Sequence, residues 1–485
     1  MNQVSSQVPA GWRTEAGGEP QIQVVAASEI MVLVLAVGCV AVAYAFPFPA
    51  VKYGLIAFFG VITVLQTLRR PAVGLALLAF ASPAMDLIPQ DLFPIRGLNA
   101  ETAFLLFALF IWARANQLYG KLEIRPALSR WLAAYALLIM ISAVRTWLIW
   151  QVSLFDVLAK GKNHLTYMIL LPVAFHVLRT RRDQKLLLLA VSASIVLNAL
   201  SAIDHSFLAF IGGNLERHRA SALLATQPNI FGGAMAMYLP VFIALALHKI
   251  GSRLMNLWFF FGAGAVGFAL LLTLSRGAWL GAAGALAAMA LVRDRKLLVL
   301  LVVAAASYQL WVPEQAIERA KSTTQHGGDL VAGEQIADDS TQMRIEQYKS
   351  LGAMMLPRPI LGSGYKSFPR MFKLYGTLGR AKGAHSTYCQ IGTEEGIVGL
   401  VVLGILFAMM MALGLKGAFR LEDPLLSWLA LGLFAGAVSM ALCMATGARF
   451  EAQKIFGFYW LLMGIIDYEL ASRRMAAEPA GGGET

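Results

Sequence analysis

The chain is a train of apolar runs, most of them about as long as a bilayer is thick and each cut from the next by a short polar break. They fall near 29–46, 51–68, 72–88, 99–113, 131–150, 165–178, 185–208, 230–247, 257–274, 277–292, 297–312, 397–415, 427–445 and 455–469. A helix needs about 20 apolar residues to cross the hydrocarbon core. Lipid accepts only backbone whose hydrogen bonds are closed within itself. The runs are continuous and rich in Leu, Ala, Gly and Met, without the alternation of a membrane barrel. Composition agrees: 58% of the 485 residues are hydrophobic and 14% charged, against about 25% charged in soluble domains. A soluble globular enzyme, a disordered chain and a disulfide scaffold are excluded. The expected fold class is all-α: a polytopic helical membrane protein of about 14 transmembrane helices (roughly 12–14, since boundaries read from sequence are soft) with one long loop containing short helices.

The net charge is +12. In a membrane chain this fixes orientation rather than pointing to nucleic acid, because short basic loops stay cytoplasmic. Arg69-Arg70, then Arg114 to Arg130, Arg179 to Lys185, Lys249 and Arg253, Arg293 to Lys296, Lys416 and Arg420, and Arg473-Arg474 are the basic breaks. All share one side if both termini are cytoplasmic. The expected divisions are a cytoplasmic tail (1–28), N-terminal transmembrane helices (29–194), a core (195–415) that includes an outer loop (313–396), and C-terminal helices with a cytoplasmic tail (416–485). The first residues carry Arg13, Glu15 and Glu19 and are not a basic signal region, so the first span reads as an uncleaved anchor.

The opposite side then holds the segment 209–229, a tight turn at Ser275-Arg276-Gly277, and the loop. Arg276 sits between two apolar runs. A cation at bilayer depth costs up to about 2.5–3.5 kcal/mol and marks a functional site by default; snorkelling to lipid phosphate is the alternative. In the loop, Ser340 or Thr341 is expected to cap a helix running to about Met355 and stopped by Pro357. Arg344 then falls in its first turn, where a cation opposes the helix dipole. Such a position suits an anion site more than helix stability, although a surface pairing with Glu346 accounts for it as well. His385 opens a further expected helix, where the imidazole is favoured as the neutral form, a general base; an interfacial polar role is the alternative. Arg217 and Arg219 are further phosphate candidates or headgroup contacts, and Asn229 is a candidate cap for the helix after Gln227-Pro228.

No Asp/Glu, His or Cys cluster has metal-ligand spacing, and no Gly-rich loop leads to a Lys-Ser/Thr pair. Neither a metal nor a nucleotide cofactor is expected. The three cysteines (Cys39, Cys389 and Cys443) are scattered, with no disulfide framework. Arginines and one helix-start histidine suit an anionic leaving group bound by cations while a neutral base activates a hydroxyl. A lipid-linked sugar diphosphate meets that description.

Four segments in order carry a family resemblance. They are Arg219 with Gln227-Pro228-Asn229-Ile230-Phe231-Gly232; Leu274-Ser275-Arg276-Gly277-Ala278-Trp279; Arg344 to Gly364 with Pro359-Ile360-Leu361-Gly362-Ser363-Gly364; and His385-Ser386-Thr387-Tyr388-Cys389-Gln390 through Gly399. Over about 195–415 the chain resembles the O-antigen ligase and O-antigen (exopolysaccharide) polymerase family. The resemblance implies a glycosyltransferase of surface polysaccharide biosynthesis in the bacterial inner membrane, needing no metal or other cofactor. It would move a glycan from undecaprenyl diphosphate to an acceptor hydroxyl on the periplasmic face. It implies Arg276, Arg344 and His385 as catalytic residues, with Arg276, Arg344, Arg217 and Arg219 binding diphosphate and Asn229 and Tyr388 in support. The implied partners are an undecaprenyl-diphosphate-linked oligosaccharide, a glycan or lipid A core acceptor, membrane lipids, a flippase and a chain-length regulator, with no nucleic acid. Two departures stand out: Ser386 replaces the usual Asn, and the N-terminal spans carry no family motif. The second favours a repeat-unit polymerase over a ligase acting on lipid A core or protein. The rival from another class is a small-anion transporter of the bicarbonate kind; its sites usually lie at the midplane on broken helices, whereas these candidates lie at one face.

Overall fold

A computed structural model describes residues 49–83, 99–212, 218–248, 252–293, 295–307, 339–376, 383–450 and 452–477, together with Leu215, Gln309, Val312, Glu314, Ala316 and Ile317. Its helices begin with α1 (Pro49–Arg69), α2 (Pro71–Ala81), α3 (Ala100–Tyr119), α4 (Ser129–Trp150), α5 (Leu154–Thr166) and α6 (Leu170–Val177). The centre of the chain forms α7 (Arg181–Ile211), α8 (Pro228–Leu247), α9 (Arg253–Leu272), α10 (Arg276–Val292) and α11 (Lys296–Ala306). The loop carries α12 (Asp339–Met355), α13 (Phe368–Tyr375) and α14 (Thr387–Glu394), and α15 (Gly396–Arg420), α16 (Pro424–Ala445) and α17 (Gln453–Ala477) complete the chain.

Seven of these, α4, α7, α8, α9, α15, α16 and α17, are long and apolar enough to cross a membrane. The chain is a membrane protein, and its described residues give fewer full spans than the fourteen apolar runs. The run at 29–46 and the end of the run at 72–88 lie outside the described residues. The run at 165–178 is not one helix: it is split into the end of α5, a 3-10 turn at Tyr167–Ile169, and α6. Polar Lys160, Lys162, Asn163 and His164 make α5 amphipathic, and Pro172 cannot continue a helix through its amide. α2, α10 and part of α1 are apolar but shorter.

α8 and α16 form the axis of the bundle. Their most apolar windows are each 78% buried within the protein, and that of α17 beside them 83%, against 33% for α9. The pairing follows from Gly432 and Gly436, a four-residue glycine spacing on α16. A Cβ on Gly432 would lie 2.6 Å from Val241 Cα, and one on Gly436 would lie 2.5 Å from the Met237 carbonyl oxygen. Apolar side chains gain little by leaving lipid for each other, so close backbone approach between small residues drives such contacts.

Basic breaks converge at one end of the bundle. Arg70 pairs with Asp183 at 2.6 Å, Arg179 donates to the Tyr119 carbonyl at 2.6 Å, Arg181 pairs with Asp423, and Arg473 meets Glu422 at 3.1 Å. Arg293 donates to the Ala418 carbonyl and Ser427 and lies 4.3 Å from the Trp428 ring centre. α12 to α14 lie at the other end as a cap. The turn 359–365 fastens this cap to the bundle. Ser363 N–H donates to the Thr393 carbonyl (2.8 Å), Gly364 N–H to that of Glu394 (2.9 Å), Tyr365 N–H to that of Ser142 (3.1 Å), and Ile397 N–H to that of Pro359 (2.8 Å). Gly362 and Gly364 have φ of 65° and 102°. A Cβ on Gly362 would sit 2.3 Å from Glu394 backbone, so glycine is required both by conformation and by space.

Candidate active site

The site forms where the cap meets the turn between α16 and α17, residues 446–452. α14 is docked on that turn. Thr387 donates its N–H and its hydroxyl to the Gly447 carbonyl (3.2 and 3.0 Å), and Arg449 N–H donates to Thr387 Oγ1 (3.0 Å). Ser386 is the N-cap, its hydroxyl accepting from Cys389 N–H at 3.4 Å. This explains the Ser in place of Asn: both side chains accept from the open first turn of a helix. His385 therefore precedes the cap, outside the helix proper. Its backbone N–H donates to Gln347 Oε1 at 2.7 Å, while Gln347 Nε2 donates to the Gly383 carbonyl at 3.0 Å. Tyr348, one residue on, donates to the Ala445 carbonyl (2.8 Å) and shares a hydrogen bond with Ser386 Oγ (2.9 Å). Partial burial raises its phenol above the ordinary range, so it stays a neutral donor.

α12 begins at Asp339, earlier than the sequence suggested. Ser340 and Thr341 are inside the helix rather than capping it, and Arg344 sits in the second turn, where the dipole penalty has weakened. Its side chain is used otherwise: Nε donates to the Thr446 carbonyl at 3.0 Å. Arg276 is the first residue of α10, following Leu274 in the left-handed region at φ 49°. Its Nη2 donates to Thr341 Oγ1 at 3.2 Å, so it joins the bundle to the loop helix. Asn229 does not cap α8. Gln227 holds that position without a side-chain bond, and Asn229 Oδ1 accepts from Arg219 Nη2 at 2.8 Å. Arg219 Nε also donates to the Thr273 carbonyl at 2.7 Å. Arg217 lies outside the described residues. Tyr388 turns away from the site, donating to the Ala441 carbonyl on α16 at 2.8 Å, and acts as an anchor of α14.

Between these elements is a cavity of about 320 Å³ bordered by Asn229, Lys366, Phe368, His385, Glu394, Thr446 and Arg449, among others. Pockets for small ligands start at about that size. His385 and Asn229 line it directly. Arg344 and Arg219 reach its lining through Thr446 and Asn229, and Gly277, beside Arg276, packs against Thr446 and Arg449. Glu394 is buried, accepting from Phe368 N–H (3.1 Å) and Gln390 Nε2 (3.4 Å). Among the described residues no group of three or more His, Cys, Asp or Glu is placed to hold a metal ion. Chemically, the arrangement offers a hollow bordered by one imidazole and two cations, Lys366 and Arg449, with Arg344 and Arg219 bonded to its lining from behind.

Sequence reasoning passed over Lys366, Glu394 and Arg449. Arg449 carried a usable signal, since it is a cation between two apolar runs on the side opposite the basic breaks, as Arg276 is. Glu394 and Lys366 had none: a carboxylate among loop residues is ordinarily solvated.

Comparison with known proteins bears on the same stretch. Residues 258–404 match the family model described as O-antigen ligase. No curated protein matches the chain. The matched stretch runs from α9 into α15 and takes in the Ser-Arg-Gly turn, the loop arginine and the helix-start histidine; over these residues the chain is similar to the O-antigen ligase family, which supports its assignment to the O-antigen ligase and polymerase group.

Proposed function

We propose that the protein is an inner-membrane glycosyltransferase that uses an undecaprenyl-diphosphate-linked glycan as donor, and that it acts as a repeat-unit polymerase on the periplasmic face. The observation that carries this reading is the meeting of Arg276, Arg344 and His385 around the 446–452 turn, at the end of the bundle away from the basic breaks. The last point supports a periplasmic site, because basic loops are retained in the cytoplasm.

In this reading Arg276 and Arg344 hold the diphosphate, with Arg219 near it. His385 takes the proton of the acceptor hydroxyl as its oxygen bonds to the anomeric carbon of the donor sugar. The bond from that carbon to the diphosphate oxygen breaks, and the leaving undecaprenyl diphosphate keeps the electron pair. Its gathering charge meets guanidinium groups already in place, so little reorganisation is needed in the transition state. Asn229 orients Arg219. Polymerase is favoured over ligase by the N-terminal spans that lack a family motif.

The test is a clean deletion followed by mass analysis of glycans still attached to undecaprenyl diphosphate. Single repeat units will accumulate if the enzyme is a polymerase. Long lipid-linked chains missing from the final acceptor would make it a ligase. An unchanged lipid-linked pool would overturn both.

A further inference from the structure

We infer that Arg449 is a phosphate-binding residue of the donor site, a cation set in the cavity wall with its charge held open for the ligand. The inference rests on the reading of the cavity as a lipid-diphosphate site and adds to it a residue outside the matched stretch.

Arg449 borders the cavity that His385 and Asn229 line, yet it is only 1% exposed. Its Nε and Nη1 have no hydrogen-bond partner, and among the described residues no carboxylate pairs with it. The guanidinium does hydrogen-bond to the Cys443 thiol, which is only a weak acceptor. Glu394, the carboxylate on the cavity lining, is already engaged by Phe368 N–H and Gln390. The position is held firmly. The backbone N–H is bonded to Thr387 Oγ1, and the carbonyl accepts from Ala452 N–H at 3.1 Å.

The guanidinium is also given room on purpose by three glycines from three places. A Cβ on Gly233 of α8 would lie 2.8 Å from Nη1, one on Gly277 of α10 would lie 3.4 Å from Nη2, and one on Gly447 would lie 2.8 Å from Nε. Gly277 directly follows Arg276, so Arg449 packs beside the first turn of α10, and the positive end of a helix favours an anion.

A guanidinium cannot shed its proton. Buried without a counter-ion, it is a standing cost to the fold. A purely structural arginine at this depth would be expected to turn its fork onto carbonyls, as Arg219 and Arg344 partly do. A fork with two unpartnered nitrogens, on a residue that lines the cavity, fits an anionic ligand with several oxygens, which a diphosphate provides.

Thermal unfolding of the purified full-length protein in detergent, with and without undecaprenyl diphosphate, tests this. Wild type should gain Tm on addition of the lipid. Arg449→Met should raise the Tm of the free protein, because an apolar side chain replaces an unpaired buried charge. It should also lose the lipid-induced gain and raise the donor KM about tenfold or more. Arg449→Lys should keep part of the gain, having the charge without the fork. A lowered Tm in Arg449→Met together with an undiminished lipid-induced gain would mean a structural role and overturn the inference alone. If the Met variant does not fold, Arg449→Gln decides: loss of the gain supports the inference and retention overturns it. Absence of any gain in the wild type would overturn the donor reading and this inference with it.

Discussion

The bundle and the cap that enclose the cavity are built on different physical terms. The bundle wall, α8, α10 and α16, is held by backbones in near contact at Gly432, Gly436 and Gly281, where a Cβ would meet Val241, the Met237 carbonyl and the Ser439 carbonyl. Contacts at that range leave no room for sliding. The cap has a small hydrophobic core of its own, Met343, Met354, Phe368, Met371, Phe372 and Cys389, half of it methionine, the most adaptable apolar side chain. Besides the 359–365 turn, it is latched to the bundle by hydrogen bonds from Arg344, Tyr348 and Thr387 to the carbonyls of residues 445–447. Arg276 and Arg449 belong to the rigid wall, and His385 and Arg344 to the adjustable one. On the proposed reading, the invariant diphosphate is met by the stiff side and the acceptor hydroxyl by the side that can shift.

The largest effects should come from residues that face each other across that divide. Arg276→Ala should reduce glycan transfer about 10²–10³-fold, the range for removing a preorganised charge-stabilising donor. His385→Ala should reduce it about 10²–10⁴-fold. Initial rates with a labelled lipid-linked glycan and membrane-inserted variant measure both. Near-normal rates in the two variants would remove the assigned roles. A deficit in Arg276→Ala that appears in donor KM, against one in His385→Ala confined to kcat, would sharpen the division between a donor wall and an acceptor wall.

Next come substitutions that separate the two regions by stability. Gly436→Val should push α16 off α8 and cost about 1–3 kcal/mol, the usual penalty for overpacking, lowering the Tm of the whole protein. Gly362→Ala meets both a left-handed backbone and the Glu394 backbone, so it should unseat the turn that clamps the cap. Limited proteolysis of 339–395 should then speed up while the bundle Tm holds. A joint collapse of cap and bundle in both variants would erase the distinction. Tyr348→Phe removes one latch and should cost about 0.5–1.5 kcal/mol, read as a severalfold drop in transfer.

The sequence made the bundle legible because lipid imposes a simple rule: an apolar run of sufficient length becomes a helix. Runs such as 230–247 and 427–445 match α8 and α16 to within a few residues. The rule fails at 165–178, where a 3-10 turn at Tyr167–Ile169, followed by Pro172 in the first turn of α6, interrupts what hydropathy reads as continuous. The cap was legible only at its punctuation, Pro357 and the glycines at 362 and 364. Its helix starts were misplaced at Asp339 and around Asn229, because a cap is chosen by local geometry and by competing partners such as Arg219, neither of which is written in the local sequence. Arg276, Arg344 and His385 stood out as polar residues in unusual surroundings. Arg449 needed the fold to show that it lines a cavity with two of its guanidinium nitrogens unpartnered.

The mildest probe of the comparison is the thiol of Cys389, in the cap core behind the Ser386 N-cap. Burial pushes it up to about 11, partly offset by its hydrogen bond with Ser386. At about pH 8 only about one thousandth is then thiolate, the reactive form. A membrane-impermeant maleimide should therefore label Cys389 very slowly in the closed cap, with the rate rising tenfold per pH unit below that value. If the cap opens readily during turnover, donor and acceptor together should speed labelling, while Cys443, buried against the Gly277 carbonyl in the bundle, should stay unlabelled throughout. Equal protection of both thiols under turnover would mean that the cap is as rigid as the bundle, and that acceptor entry does not require it to move.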